Sequence, residues 1–63
     1  SAIVHYNLAC YWSLSENAAT ALNYLSVAFE LDPRYRERVA SEPDFDPIRG
    51  DRRFQALMSR VGV

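Results

Sequence analysis

The chain has 63 residues, 49% of them hydrophobic, and a formal net charge of −1 at pH 7. This length allows one small domain, and the apolar content argues against intrinsic disorder. A charge this close to zero gives no general attraction to nucleic acid or to an anionic membrane, and no apolar run is long enough to span a bilayer. One cysteine excludes an internal disulfide, so we expect a reducing, cytoplasmic compartment.

The first predicted helix runs from Ile3 to Leu14. Large apolar residues recur in it at helical spacing and, with the small Ala9, are expected to form its packed face: Val4, Leu8, Tyr11 and Trp12. A short turn follows, in which either Ser15 or Asn17 is suited to cap the next helix. Because the two helices are joined by so few residues, we expect them to pack as an antiparallel hairpin.

The second predicted helix covers 18–31 and carries a wide apolar stripe: Ala18, Ala21, Leu22, Leu25, Ala28 and Phe29. Ala21 and Ala28 lie two turns apart on one side of this helix. Small side chains at those positions allow another helix to approach closely. We therefore expect this side to contact the first helix.

A third helix is expected from about Arg34 to Ser41, since Asp32-Pro33 favours a helix start. Glu42-Pro43 ends it, because the residue before a proline avoids the helical region. An irregular linker or single turn over 44–50 then leads to Asp51, which caps a last helix from about Arg52 to Arg60. The residues expected to fold inward from this half of the chain are Tyr35, Val39, Phe45, Ile48, Phe54, Leu57, Met58 and Val61.

Residues 6–33 read YNLACYWSLSENAATALNYLSVAFELDP, with Leu, a small residue and an aromatic on one helix, and Ala, a bulky residue, Ala and Pro on the next. This pattern resembles a tetratricopeptide repeat, a helix-turn-helix unit of about 34 residues. The tail is similar to the segment that closes many arrays of such repeats, through PDF (43–45), DPIR (46–49) and DRRF (51–54). Arg52 stands where that family often has Pro.

The resemblance implies an all-α fold, an α-solenoid fragment with a repeat-like helical hairpin over 1–33 and a capping segment over 34–63. It implies a module for protein–protein interaction, the terminal repeat and cap of a tetratricopeptide scaffold, which binds a protein or peptide and can self-associate as a homodimer. A second interpretation is the regulatory tail of a multidomain signalling enzyme, such as a kinase or nucleotide cyclase, whose chemistry lies upstream. Under both interpretations we expect this chain to be the C-terminal piece of a longer protein.

The front of the first helix is the expected contact surface, because residues 1–31 carry only Glu16 and Glu30 as charges. Tyr and Trp are enriched in interface hot spots, and Tyr6 falls off the predicted packed face, so it is the leading candidate for a partner contact. Packing of the aromatic residues in the core is the alternative. The candidate partner-binding residues are Tyr6, Asn7, Tyr11 and Cys10.

The sequence predicts no enzyme, cofactor or metal site. His5 has no second His or acid at metal-ligand spacing, and Cys10 has no basic neighbour to stabilise a thiolate. The acidic run from Asp44 to Asp51 does not make a calcium loop, since Ile48 and Gln55 occupy ligand positions. The basic residues after Pro33 alternate with acids, which favours Arg–carboxylate pairs over a nucleic-acid patch.

Overall fold

The computed structural model describes residues 1–60, and within that range it contains helices and no strand. The helices are α1 (Ala2–Leu14), α2 (Ala18–Leu31), α3 (Tyr35–Ser41), the 3-10 helix η1 (Pro43–Ile48) and α4 (Arg52–Ser59). The predicted all-α fold is confirmed, and the ends of the α-helices agree with the predicted ones to within one residue. The predicted inward position of Val61 lies outside the described residues.

Side-chain caps mark where four of the described helices begin, and α2 and α4 are the two whose caps bear on the sequence predictions. The Asn17 side-chain oxygen accepts a hydrogen bond from the Thr20 backbone N–H at 3.1 Å, which identifies Asn17 as the cap of α2. The Asp51 carboxylate accepts one from the Arg53 backbone N–H at 2.8 Å and caps α4 as predicted. Each cap satisfies a backbone N–H that has no partner inside its own helix.

The antiparallel pair of α1 and α2 forms the centre of the fold. Ala9 of α1 and both Ala21 and Ala28 of α2 are fully buried, so small side chains lie where the two helices approach each other. The predicted apolar stripe of α2 is confirmed: all its members are buried except Ala18, which is partly buried against the core.

The predicted packed face of α1 is wrong except at Ala9, which is fully buried. Its large members are exposed or half-buried, and the other buried residues of α1 are Tyr6 and Ser13. The physical reason is that apolar residues surround most of α1, so helical spacing alone does not distinguish one side from another. The small side chains of Ala9 and Ser13 let neighbouring elements pack closely against this side of α1. The buried Ser13 hydroxyl donates a hydrogen bond to the Asp44 carbonyl oxygen at 2.7 Å.

The second half of the chain covers the hairpin from two directions, η1 against α1 and α4 against α2. Phe45, fully buried, connects these layers, since its ring lies 5.8 Å from the ring of Tyr6 and 6.4 Å from that of Phe54. The segment over 44–50, predicted to be an irregular linker or a single turn, is therefore mostly a 3-10 helix, Pro43–Ile48. Burial of Phe45 and Ile48, as predicted, holds it against α1.

Two arginines bind the ends of helices distant from them in sequence. The Arg36 guanidinium donates to the Leu57 carbonyl oxygen at 2.8 Å, at the end of α4, and lies 4.8 Å above the Phe29 ring. Arg49 donates to the carbonyl oxygens of Val39 (2.9 Å) and Glu42 (2.6 Å), at the end of α3. Both therefore satisfy terminal carbonyls that a helix leaves without partners.

Candidate functional site

The side of α1 that faces away from the core is a continuous, mostly apolar surface. We call it the α1 face, and it consists of Ile3, Val4, Asn7, Leu8, Tyr11 and Leu14. At 100° per residue these positions occupy one side of the helix, opposite the buried residues. The exposed fraction of its apolar side chains runs from 38% at Leu8 to 60% at Tyr11. A contiguous exposed apolar patch of this kind is typical of an interaction site.

The α1 face carries no charged side chain, and Asn7 is its one amide. The carboxylates nearest the other side of α1 belong to Glu42 and Asp44, which act on Tyr6 and Cys10 there. The charges therefore lie on the side packed against η1. A partner of the α1 face would meet apolar surface and a single neutral hydrogen-bonding group.

Asn7 and Tyr11, two of the candidate partner-binding residues, lie on the α1 face. The Tyr11 ring stands edge-on to the half-buried Trp12, with ring centroids 5.1 Å apart, which orients it on the surface. Asn7 lies exposed one turn before Tyr11. The structure thus places these two together, where a partner could contact both.

The placement of Tyr6 differs from the prediction that it lies off the packed face. Its side chain is 3% exposed, and its ring lies 5.0 Å from the Tyr35 ring and 5.8 Å from the Phe45 ring. The Arg38 guanidinium lies 5.0 Å from the same ring and covers it from outside. Tyr6 is therefore a core residue and does not belong to the α1 face. The alternation of large and small residues around α1 gave no sign of this.

Cys10 is half-buried beside Tyr6, on the side of α1 that faces η1. Burial, reinforced by the carboxylates of Asp44 and Glu42, raises the pKa of its thiol to about 11. Burial, followed by the charges of Cys10 and Glu42, likewise raises the pKa of Tyr6 to about 12. A thiol with so high a pKa remains protonated and unreactive at neutral pH, so Cys10 behaves as a packing residue.

Replacing Tyr6 with phenylalanine is expected to make the chain more resistant to alkaline unfolding. Tyr6 and Cys10 are neutral in the fold and ionise more readily when unfolded, near their ordinary pKa values of 10.0 and 9.0. The stability that they contribute is complete below pH 9 and is lost as pH rises toward 12. Helical circular dichroism against pH should therefore show a higher unfolding midpoint for Tyr6→Phe.

The same variant should be up to about 1 kcal/mol more stable at pH 7, because the buried Tyr6 hydroxyl has only the weakly hydrogen-bonding Cys10 sulfur beside it and no partner with full hydrogen-bond geometry among the described residues. Tyr11→Phe removes a hydroxyl from an exposed ring and is the matched control, with no change expected in either measurement. A loss of stability in Tyr6→Phe at pH 7 would show instead that the hydroxyl has a stabilising partner.

A concavity of about 410 Å³ lies between α2 and α4. Leu22 and Leu57 contribute apolar surface to it, and two arginines lie at its edge, Arg53 and Arg60. The Arg53 guanidinium is already paired with Asp51 at 2.9 Å, which offsets part of the positive charge there. The α1 face exposes five large apolar side chains and no charge, and it is the candidate site.

Residues 1–60 hold no group of three His, Cys, Asp or Glu side chains placed to bind a metal ion. His5, considered as a ligand in the sequence, lies with its Nδ1 2.8 Å from the Ser1 carbonyl oxygen and its ring 6.1 Å from that of Tyr24. None of the helices in the described part of the chain combines the length and apolarity needed to cross a membrane.

Comparison of the chain with protein-family models, with curated proteins and with solved structures finds no significant match.

Proposed function

We propose that this chain is a protein–protein interaction module, the terminal repeat and cap of a tetratricopeptide-like scaffold, whose contact surface is the α1 face. One observation carries the proposal: α2 is covered by α3 and α4, whereas the opposite side of the hairpin exposes a row of large apolar side chains. A repeat buries its apolar sides by stacking on neighbours, and a terminal unit needs cover on one side only. The open side accepts an apolar helical surface of a protein partner.

The chemistry of the surface supports this class of partner over others. An apolar face without charge offers nothing to a phosphate backbone or to an anionic membrane surface, both of which require cations. A helix that is apolar on nearly all sides is normally covered by protein. Together with this function we propose a reducing, cytoplasmic compartment, since the single cysteine of the chain cannot form an internal disulfide.

Fusion of a consensus tetratricopeptide repeat of about 34 residues directly before Ser1 tests the proposal. If the α1 face stacks on a preceding repeat, the fusion should melt in one cooperative transition. The melting temperature should be about 5 °C or more above that of the same chain carrying a Gly/Ser linker of equal length. Circular dichroism at about 10 μM protein measures both, a concentration at which weak association contributes little.

Leu8→Glu, introduced into both fusions, is the matched variant. It places a charge in the middle of the α1 face, where Leu8 is already 38% exposed, so the fold itself should tolerate it. The gain in melting temperature from the added repeat should then disappear. Two separate transitions in the unmutated fusion, with that of this chain unmoved, would overturn the proposal.

A further inference from the structure

We propose that the α1 face pairs with the α1 face of a second copy of this chain, antiparallel about a two-fold axis at Asn7, so that the two Asn7 side chains meet. This deepens the proposed function, on which it rests, by naming the partner. A two-fold contact is isologous, which means that both copies use the same surface. If residue i of one copy contacts residue j of the other, then residue j of the first copy also contacts residue i of the other. The surface must therefore be complementary to itself.

The absence of charge on the α1 face supports a second copy of the chain as its partner. A surface that meets its own copy places like groups against each other, so any charge near the axis would repel its counterpart. The α1 face has no charged side chain, and residues 1–31 hold only Glu16 and Glu30, both outside it. An uncharged apolar partner surface is the complement of this one, and the α1 face of another copy has that composition.

One row of the α1 face is symmetric about Asn7, whereas Val4, Leu8 and Leu14 have no counterpart on the face at the mirrored positions. Ile3 lies four residues before Asn7 and Tyr11 four residues after it, in one row along the helix. With the two-fold axis at Asn7, each Ile3 meets the Tyr11 of the other copy. The large aromatic and the smaller aliphatic side chain then pair twice, once on each side of the axis.

Asn7 itself gives the register of the pair. Its amide carries both a donor and an acceptor, so two such amides related by a two-fold axis can hydrogen-bond to each other reciprocally. In any shifted register, each amide would be buried against apolar side chains without a partner, which is unfavourable. A single polar residue in an apolar helix interface is known to fix register and orientation in this way.

The area of the α1 face limits the expected affinity of the dimer. The whole chain exposes 4100 Å², and a standard interface of about 800 Å² per partner would use about a fifth of it. α1 has 13 residues and is about 20 Å long, so one face of it supplies less than that area. We therefore expect a weak dimer with a dissociation constant of about 100 μM, so that the chain is mostly monomeric at about 10 μM.

Sedimentation equilibrium from about 10 μM to about 1 mM protein tests this, with Asn7→Asp and Asn7→Lys each alone and then mixed in equal amounts. The unmutated chain should pass from monomer to dimer. Each variant alone should dimerise about tenfold or more weakly, because two like charges meet at the axis. The equimolar mixture should recover the dimer, since a carboxylate then meets an ammonium group.

Asn23→Asp and Asn23→Lys are the matched controls, because Asn23 is an exposed Asn of α2 beside α4 and its variants change the net charge equally. They should dimerise like the unmutated chain, and helical circular dichroism should be the same for all variants. A monomer at all concentrations, or a dimer that the mixture of Asn7 variants does not restore, would overturn the pairing. A monomeric chain whose repeat fusion still gains stability would leave the proposed function standing and remove only the second copy as its partner.

Discussion

Phe45→Ala is expected to remove about 3–5 kcal/mol from the free energy of unfolding, as for a large aromatic deleted from a packed core. Phe45 is fully buried and its ring contacts those of Tyr6 in α1 and Phe54 in α4. A chain of this size is typically stable by only about 3–9 kcal/mol. The variant should therefore be partly unfolded at 25 °C, with a reduced urea midpoint by circular dichroism.

Leu31→Ala is the comparison for Phe45→Ala, because it also removes a large apolar side chain, but one that is 56% exposed at the end of α2. Its free energy of unfolding should change by no more than about 0.5 kcal/mol, so the urea midpoint should move little. If Phe45→Ala cost no more than Leu31→Ala, η1 would not be anchored on α1, and the described cover of the hairpin by the second half would be wrong.

The sequence predicts the second half and α2 well for a physical reason. In α2 most of the large apolar residues lie on one side, with Val27 and Leu31 as exposed exceptions, so their spacing gives both the helix and its buried face. Proline, with its fixed backbone angle and missing N–H, marks the ends of the helices at Pro33 and Pro43. Phe45 and Phe54 are isolated large apolar residues among charges, which leaves little doubt that they fold inward.

α1 could not be predicted to the same depth, because apolar residues surround most of it. Helical spacing alone then does not identify one buried face. In the structure the buried face is the one with small residues, where Ala9 and Ser13 allow close contact. Tyr6, with its polar hydroxyl, gave no sign of being a core residue. Of the four candidate partner-binding residues, Asn7 and Tyr11 lie on the α1 face, whereas Tyr6 and Cys10 do not, and their role in binding stays a prediction.

The contacts of the arginines could not be predicted from the sequence for a different reason. Local patterns connect residues up to about one helical turn apart. Arg36 contacts the carbonyl of Leu57, and Arg49 that of Val39, each across a chain reversal. Nothing in the local sequence distinguishes these arginines from Arg34, which makes an exposed ion pair with Asp32. Only the tertiary fold determines which guanidinium groups hold the structure together.

Arg49→Ala is accordingly expected to cost about 2–3 kcal/mol, which is large for a charged residue. The guanidinium donates to the carbonyl oxygens of Val39 and Glu42 and to the Asp46 carboxylate, at 2.6 to 2.9 Å. Its side chain is 32% exposed, so these bonds are partly shielded from water. Removing it leaves the terminal carbonyls of α3 without their donor. Urea unfolding at pH 7 should show a lower midpoint with an unchanged slope.

Two further variants separate this role from charge alone. Arg49→Lys keeps the charge, but an ammonium group lacks the planar fork that reaches three acceptors, so most of the loss should remain. Arg34→Ala breaks an ion pair of similar length, 2.8 Å, yet its guanidinium is 88% exposed, and its urea midpoint should not move measurably. Equal midpoints for Arg49→Ala and Arg34→Ala would contradict the assignment, because the Arg49 contacts would then be as dispensable as a surface pair. A full recovery by lysine would show that charge, and not the forked geometry, holds the end of α3.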